Sequence, residues 1–264
     1  MRHLLAMWRL LRMGVHLLHG MAVMAWRFPS LDATGRQSRI QWWSAKLVRV
    51  AGLRLRTSGQ PDPGAALLLA NHISWLDIAA IHAVAPRARF VSKADVLAWP
   101  LLGWLIRNAG TLFIERERKR DAVRVLHQIG AALQAGDLVA VFPEGTTGSG
   151  RGLLPFHANL LQSAIATGVP VQGVALRYSD AQHAVSPAVE FLGDTTLLQT
   201  VWRMLGTRGL AVRVDLLPSR PSAGAARRAL AQTVRQQIDA ALSGAAPRSG
   251  AVPANLVSHA RETT

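Results

Sequence analysis

The segment from Asn71 to Asp77 carries the residue types that acid–base chemistry needs. Its sequence, Asn-His-Ile-Ser-Trp-Leu-Asp, places His72 five residues before Asp77. An imidazole titrates near neutral pH, and a neighbouring carboxylate can fix its tautomer and stabilise its protonated form. The other ring nitrogen of His72 could then take a proton from a hydroxyl group. We therefore predict that His72 and Asp77 form a catalytic dyad.

The same segment also has a purely structural interpretation. Residues five apart in a helix point about 140° away from each other, so pairing requires His72 to lie in the turn before the helix. Ser74 is a good N-cap, and Asp77 occupies the acidic position of a capping box, where it would only stabilise the helix start. Both interpretations place the segment after a short apolar strand at Ala66–Ala70, a position where open α/β sheets bind ligands.

Two further strand ends carry polar groups. The first, after the strand at 111–114, continues through Glu115 and Arg116 into a charged run. A guanidinium in this run could bind an anion, although such runs are usually solvated helix starts. The second leads through Phe142 into a loop rich in Gly and Thr, whose N–H groups could hold phosphate but which lacks the Lys-[Ser/Thr] of a nucleotide-binding P-loop. Because strand ends at one edge of a sheet converge, these signals together predict one functional site.

The hydrophobic pattern alternates between strands and helices. Strand character occurs in seven stretches, which are 53–56, 66–70, 90–91, 111–114, 138–142, 171–176 and 212–216. Helical character occurs in residues 1–29, 38–50, 76–84, 120–134, 160–167 and 225–242, with a polar connector at 31–37. This alternation predicts an α/β fold with one domain, in which helices flank a mostly parallel central sheet. We expect an N-terminal helix in 1–30, the main domain in 31–243 and a disordered tail in 244–264.

The composition is both apolar and basic. Apolar residues form 50% of the 264 residues, and 30 Lys and Arg against 15 Asp and Glu give a net charge of +15. The high apolar fraction argues against a disordered chain, and the mean hydropathy of +0.18 combined with the positive charge suits an anionic membrane surface. The absence of cysteine excludes disulfides, cysteine metal sites and a thiol nucleophile. The basic residues are spread along the chain without a recognition motif, so we expect no nucleic-acid partner.

The first 29 residues have the pattern of an amphipathic helix. One stripe carries the polar residues Arg2, Arg9, Arg12, His16 and His19. The longest run without Asp, Glu, Lys or Arg there has fourteen residues, shorter than the roughly 20 that a membrane-spanning helix needs. We predict a helix that lies in the membrane interface. The alternative is a helix docked on the domain with its basic edge in water.

Four motifs occur in the order found in one enzyme family. They are Asn-His-x4-Asp at 71–77, Gly-x-x-Phe-Ile-x-Arg at 110–116, Phe-Pro-Glu-Gly-Thr at 142–146 and Val-Pro-Val at 169–171. Over about residues 66–178 the chain resembles the glycerolipid acyltransferases of the 1-acylglycerol-3-phosphate O-acyltransferase type. The resemblance implies that His72 and Asp77 are catalytic. It also implies a set of substrate-binding residues, namely Lys93, Arg116, Glu144, Gly145, Thr146 and Pro170.

The resemblance implies transfer of an acyl group from the thioester of coenzyme A or acyl carrier protein to the free hydroxyl of a lysolipid. The first expected acceptor is 1-acyl-sn-glycerol-3-phosphate, which would become phosphatidic acid. A thiol has a pKa of about 8.5, so the thiolate leaves without a strong acid. We expect direct transfer between two bound substrates, with no metal and no cofactor besides the acyl donor.

Thr147 departs from the family pattern, because members that form phosphatidic acid usually carry Arg there. The Phe-Pro-Glu-Gly-Thr-Thr-Gly form resembles relatives that act on other lysolipids, such as lyso-ornithine lipid, which is the alternative acceptor. The apolar run 96–106 is too short to span a bilayer and could line the acyl site, dip into the membrane or pack in the core. We expect a peripheral or monotopic protein on the cytoplasmic face of the inner membrane. A basic lipid-binding protein without catalysis is the competing class.

Overall fold

The computed structural model describes residues 2–93, 103–104, 110–114, 119–193 and 195–244. Three predictions concern residues outside these ranges. They are the anion-binding role of Arg116, most of the apolar run 96–106 and all but the first residue of the tail 244–264.

A seven-stranded sheet forms the centre of the molecule. The strands are β1 (Arg54–Ser58), β2 (Ala66–Ala70), β3 (Ala88–Lys93), β4 (Leu112–Ile114), β5 (Leu138–Val141), β6 (Val171–Ser179) and β7 (Ala211–Leu216). Their order across the sheet is β1-β7-β6-β2-β5-β3-β4. Within the described residues every neighbouring pair is parallel except β6 and β7, which are antiparallel. The predicted α/β fold with a mostly parallel sheet is confirmed.

Helices cover both faces of this sheet. They are α1 (Arg2–Trp26), α2 (Ala33–Val50), α3 (Asp77–His82), α4 (Lys119–Gln134), α5 (Gln162–Thr167), α6 (Leu197–Gly206) and α7 (Arg227–Ser243). Short 3-10 segments lie at Phe28–Ser30, Ala158–Leu161 and Pro187–Val189. In β2, Leu68 packs on the face covered by α1, α2, α3 and α6, whereas Leu67 and Leu69 pack on the face covered by α4, α5 and α7. A strand buried on both faces has no polar alternation, which explains the Ala-Leu-Leu-Leu-Ala sequence.

Two helices differ from the sequence prediction. Helix α2 begins at Ala33, inside the predicted polar connector, because Asp32 caps it by accepting a hydrogen bond from Gly35 N at 2.7 Å. Helix α6 was not predicted at all. Its signal was present as a capping box, in which Thr196 and Gln199 each bond the backbone N–H of the other.

Helix α1 docks on the domain through its polar stripe. The Arg9 guanidinium donates to the carbonyls of Leu205 and Thr207 at 2.9 and 2.7 Å, which satisfies groups at the carboxyl end of α6. His16 is buried, stacks on Trp43 and donates through Nε2 to the Trp43 carbonyl at 2.9 Å. The helix is therefore docked on the domain, as the alternative has it, but Arg9 and His16 face protein, and the basic edge is in water only at residues such as Arg12 and His19.

The opposite side of α1 is apolar and exposed. Its exposed side chains are Leu4, Met7, Trp8, Leu11, Val15 and Leu18. Among the described helices, none combines the length and the apolarity that crossing a bilayer requires. An uncovered apolar stripe of this size on a helix marks a surface for a membrane or another protein.

Candidate active site

The dyad lies where β2 ends. Asn71 is buried and fixes this end to β6, because its side chain both donates to the Leu176 carbonyl and accepts from the Leu176 N–H. The chain then turns, and Nδ1 of His72 lies 2.8 Å from Oδ2 of Asp77. His72 precedes the helix and Asp77 is the first residue of α3, which is the placement that pairing requires. The structure thus brings the two predicted catalytic residues together.

Asp77 holds the turn as well as the histidine. Its Oδ2 also accepts from the N–H groups of Ile73 and Ser74, at 2.7 and 3.0 Å, and its Oδ1 accepts from the Tyr178 hydroxyl at 2.7 Å. The carboxyl group is fully buried, with four hydrogen bonds supporting its charge. Ser74 does not cap α3, since Leu76 occupies the N-cap position. The structural and catalytic interpretations of Asp77 are therefore compatible.

These contacts decide the tautomer of His72. A carboxylate oxygen can only accept, so Nδ1 carries the proton and Nε2 carries the free lone pair. The imidazole stacks on the Phe142 ring, with centroids 4.0 Å apart and an interplanar angle of 14°. The side chain remains 21% exposed. His72 is thus fixed in orientation and accessible to a substrate.

Glu144 fixes the loop after β5 against the dyad. Its Oε1 accepts from His72 N and its Oε2 from Leu154 N, both at 2.9 Å. In the same loop, Gly148 N donates to the His72 carbonyl at 2.7 Å. Burial raises the pKa of Glu144, whereas its two backbone N–H donors oppose this shift. Glu144 therefore acts on the shape of the site, because both of its oxygens are engaged by backbone groups.

The remaining predicted residues of this loop lie beside Glu144. Gly145 adopts a φ of +71°, and a Cβ on it would come within about 3 Å of the His157 ring. Thr146 is exposed. Thr147 is partly buried, and its hydroxyl donates to the Phe191 carbonyl.

Two other predicted residues lie at opposite ends of their strands. Lys93 is the last residue of β3, at the same sheet edge as His72. Pro170 precedes β6, and its carbonyl accepts from Leu67 N near the start of β2. Since β2 is five residues long, the structure does not bring Pro170 to the dyad. Its visible role is to begin the pairing of β6 with β2.

A cavity of about 440 Å³ opens beside the dyad, between the sheet edge and helices α1 and α2. Its wall is apolar over most of its area, and His72 lies in that wall. The apolar lining includes Leu17, Val23, Met24, Ile40, Trp75 and Ile78. Thr147 and Phe191 border the same space. The cavity therefore joins a hydrophobic volume to the imidazole.

Tyr178 is the residue of the site that the sequence analysis missed. It is the only tyrosine in the chain and lies in the apolar strand β6, fully buried. Burial and the neighbouring Asp77 raise its pKa well above the ordinary value, so the hydroxyl stays protonated and donates. A lone tyrosine in a buried strand was a usable signal, because a buried hydroxyl needs a partner.

A buried carboxylate, an oriented histidine and an apolar cavity lie together at one sheet edge, an arrangement suited to activating a hydroxyl group next to a hydrophobic substrate. A family model described as Acyltransferase matches residues 50–177. The chain is 40% identical over 236 residues to a lyso-ornithine lipid O-acyltransferase of Pseudomonas aeruginosa, covering 86% of this chain and 89% of the relative. The chain belongs to the acyltransferase family.

Two further comparisons agree with this assignment. A 1-acyl-sn-glycerol-3-phosphate acyltransferase of Neisseria meningitidis is 42% identical over 168 residues, which are 63% of this chain and 64% of the relative. The crystal structure of the 1-acyl-sn-glycerophosphate acyltransferase PlsC of Thermotoga maritima superimposes with a TM-score of 0.69 at 20% identity. That match covers 92% of this chain and 96% of the other, and it supports the fold.

Proposed function

We propose that this protein is a lysolipid O-acyltransferase in which His72 and Asp77 are the catalytic residues. The observation that carries the proposal is the 2.8 Å contact between His72 Nδ1 and Asp77 Oδ2 in the wall of an apolar cavity. The acceptor is a lysolipid, and the donor is an acyl thioester of coenzyme A or acyl carrier protein. No cofactor besides this donor enters the reaction.

The chemistry follows from the state of the imidazole. Nε2 of His72 takes the proton from the lysolipid hydroxyl while that oxygen forms a bond to the thioester carbonyl carbon. The C–S bond then breaks and the thiolate leaves with its electron pair. Asp77 stabilises the imidazolium that forms, and its four hydrogen bonds keep it from moving. The imidazolium finally returns the proton to the thiolate or to water.

The apolar cavity is the proposed site of a fatty acyl chain. It lies against His72 and is lined by side chains such as Ile40, Trp75 and Ile78, which would remove methylene groups from water. The run 96–106, which the sequence analysis considered for this role, lies mostly outside the described residues. Helices α1, α2 and α3 supply much of the wall among the described residues.

Two acceptors fit the site, and different observations favour each. Arg116, which lies outside the described residues, is the proposed ligand of an anionic headgroup such as that of 1-acyl-sn-glycerol-3-phosphate, because it belongs to the motif Gly-x-x-Phe-Ile-x-Arg. Thr147, by contrast, points to the Phe191 carbonyl and offers no cation. Together with the similarity to lyso-ornithine lipid acyltransferases, this favours lyso-ornithine lipid as the alternative acceptor.

The exposed apolar stripe of α1 is the proposed contact with the membrane. Leu4, Met7, Trp8 and Leu11 would enter the lipid interface, while Arg9 and His16 stay on the domain. This arrangement places the cavity, which α1 also lines, next to the source of lipid substrates. We place the protein on the cytoplasmic face of the inner membrane, where coenzyme A and acyl carrier protein are available.

The decisive experiment incubates purified protein with labelled acyl-CoA or acyl carrier protein and a panel of lysolipids. We expect labelled diacyl product, and we expect His72→Ala to lower its formation by on the order of 10³-fold. The variant should still fold and bind vesicles. Vesicle binding without thioester consumption by the wild type would instead support a non-enzymatic lipid-binding protein.

A further inference from the structure

A second cavity, of about 490 Å³, lies where the start of α1 meets the end of α6 and the loop after β6. Three arginines border it, and they are Arg2, Arg203 and Arg208. None of the catalytic or substrate-binding residues proposed above lines this cavity. Within the described part of the chain, no carboxylate forms an ion pair with any of the three arginines.

Three arginines outnumber the one carboxylate around this cavity. Burial lowers the pKa of Arg9, and repulsion from Arg12 and Arg208 lowers it further. The carboxylate in the cavity wall is Asp180, whose oxygens already accept from Ser186 Oγ, from His183 and from backbone N–H groups. Despite its burial, these hydrogen bonds lower the pKa of Asp180 to about 2. The hydrogen bonds of Asp180 thus all lie within its own loop.

The arginines keep donors for a ligand. Arg203 uses one nitrogen, Nη2, to donate to the Glu190 carbonyl at 3.1 Å, and its Nη1 makes no hydrogen bond among the described residues. Arg2 and Arg208 are exposed at the rim of the cavity. A planar guanidinium binds phosphate oxygens in a bidentate manner, so several of them around one concave space suit a phosphate group.

We propose that this arginine pocket, formed by Arg2, Arg203 and Arg208, binds the phosphate group of an anionic membrane phospholipid. The source of the phosphate follows from the position of Arg2. It begins the helix whose other face exposes Leu4 and Trp8, so a bilayer that accepts this face brings its headgroups to the mouth of the pocket. The inference rests on the proposed membrane association of α1. It adds a discrete headgroup site, separate from the acceptor site, to a protein of net charge +15.

The test compares binding of the full chain to vesicles of phosphatidylcholine alone and to vesicles of phosphatidylcholine mixed with phosphatidylglycerol. The variant is Arg203→Gln with Arg208→Gln, which leaves α1 unchanged. The matched control is Arg227→Gln with Arg228→Gln, which removes two exposed charges from the start of α7. We expect the pocket variant to lose about 30-fold in affinity for the anionic vesicles and the control to lose much less. Arg208→Gln alone serves if the double variant does not fold.

Each result decides the matter. Equal losses in the two variants would overturn the proposal, because the effect would then be one of net charge. Calorimetric binding of free coenzyme A or inorganic phosphate that the pocket variant abolishes, without any change in vesicle binding, would assign the pocket to a soluble phosphate or donor instead. An acidic carrier protein that binds wild type but not the variant would overturn it in the same way. Acyl transfer by the pocket variant in detergent micelles should be unchanged. A failure of the arginine-pocket proposal can therefore be distinguished from a failure of the catalytic proposal.

Discussion

The hydroxyl of Tyr178 donates to Oδ1 of Asp77 at 2.7 Å, and the other oxygen of the same carboxylate faces His72. Tyr178 comes from β6 and the dyad from the turn after β2, so the contact links neighbouring strands. Hydrogen bonds thus connect the buried Tyr178 through Asp77 to His72 in the cavity wall. The tyrosine does not touch the reacting atoms, and we regard it as a positioning residue.

Tyr178→Phe removes the hydroxyl and leaves a buried carboxylate oxygen without its donor. We expect the free energy of unfolding to fall by about 1–3 kcal/mol. We also expect kcat to fall by about tenfold with both KM values unchanged, because Asp77 would orient His72 less well. Steady-state kinetics and urea unfolding measure the two effects. A lower free energy of unfolding with wild-type kcat would show that Tyr178 serves only the fold.

Asp77→Asn separates the structural role of Asp77 from its catalytic role. The amide oxygen of Asn can still accept from His72 and the turn, and its amide group can donate to the Tyr178 oxygen. We therefore expect a change of only about 1 kcal/mol in stability but a loss of on the order of 10³-fold in kcat.

Asp77→Ala provides the contrast, since it removes every one of these bonds. We expect it to destabilise the protein by more than about 3 kcal/mol. Thermal unfolding and acyl-transfer rates of the two variants test this separation. Near-normal turnover by the folded Asn variant would show that catalysis does not need the negative charge of Asp77.

His82 should make stability depend on pH. Burial lowers its pKa to about 4, although the hydrogen bond between its Nε2 and the Ala88 carbonyl opposes the shift. In the unfolded chain the pKa is about 6.5, so between these two values the unfolded state binds more protons and stability falls as the pH falls. The loss from pH 6.5 to pH 4 should reach about 3 kcal/mol.

The comparison for this prediction is His82→Gln, which does not titrate and can still donate to Ala88. Urea unfolding at several pH values should give a flatter profile for the variant than for the wild type. Parallel profiles would mean that His82 has the same pKa in the folded and unfolded states.

Gly20 of α1 lies against the Trp43 ring of α2. A Cβ on Gly20 would lie 2.2 Å from Trp43 Nε1, which donates to the His16 carbonyl and cannot easily move. We expect Gly20→Ala to destabilise the protein by about 1–3 kcal/mol and to impair acyl transfer, because both residues line the apolar cavity.

Gly14→Ala is the matched control on the same helix. A Cβ there meets nothing within 4 Å, so the gain in helix propensity of about 1 kcal/mol should appear alone. Melting temperatures of the two variants should move in opposite directions. If both rose, the contact between α1 and Trp43 would not form in solution.

The sequence alone determined the strands and the position of the dyad. Short apolar stretches such as Ala66–Ala70 can be recognised because a strand buried on both faces leaves no polar periodicity. Helix geometry gave the condition for pairing His72 with Asp77, because contact is possible only if one residue precedes the helix. Glu144 was found from its motif, although its hydrogen bonds to two backbone segments were not predictable.

Only the tertiary structure decided what these elements face. Tyr178 is 101 residues from Asp77 in the chain, and their contact depends on β6 lying beside β2. The amphipathic pattern of α1 predicted two faces, but not that Arg9 and His16 would pack inward while Leu4 and Trp8 stay exposed. The hydrophobic periodicity of a helix shows which residues share a face. What that face contacts depends on backbone carbonyls and aromatic rings from segments that are distant in the sequence.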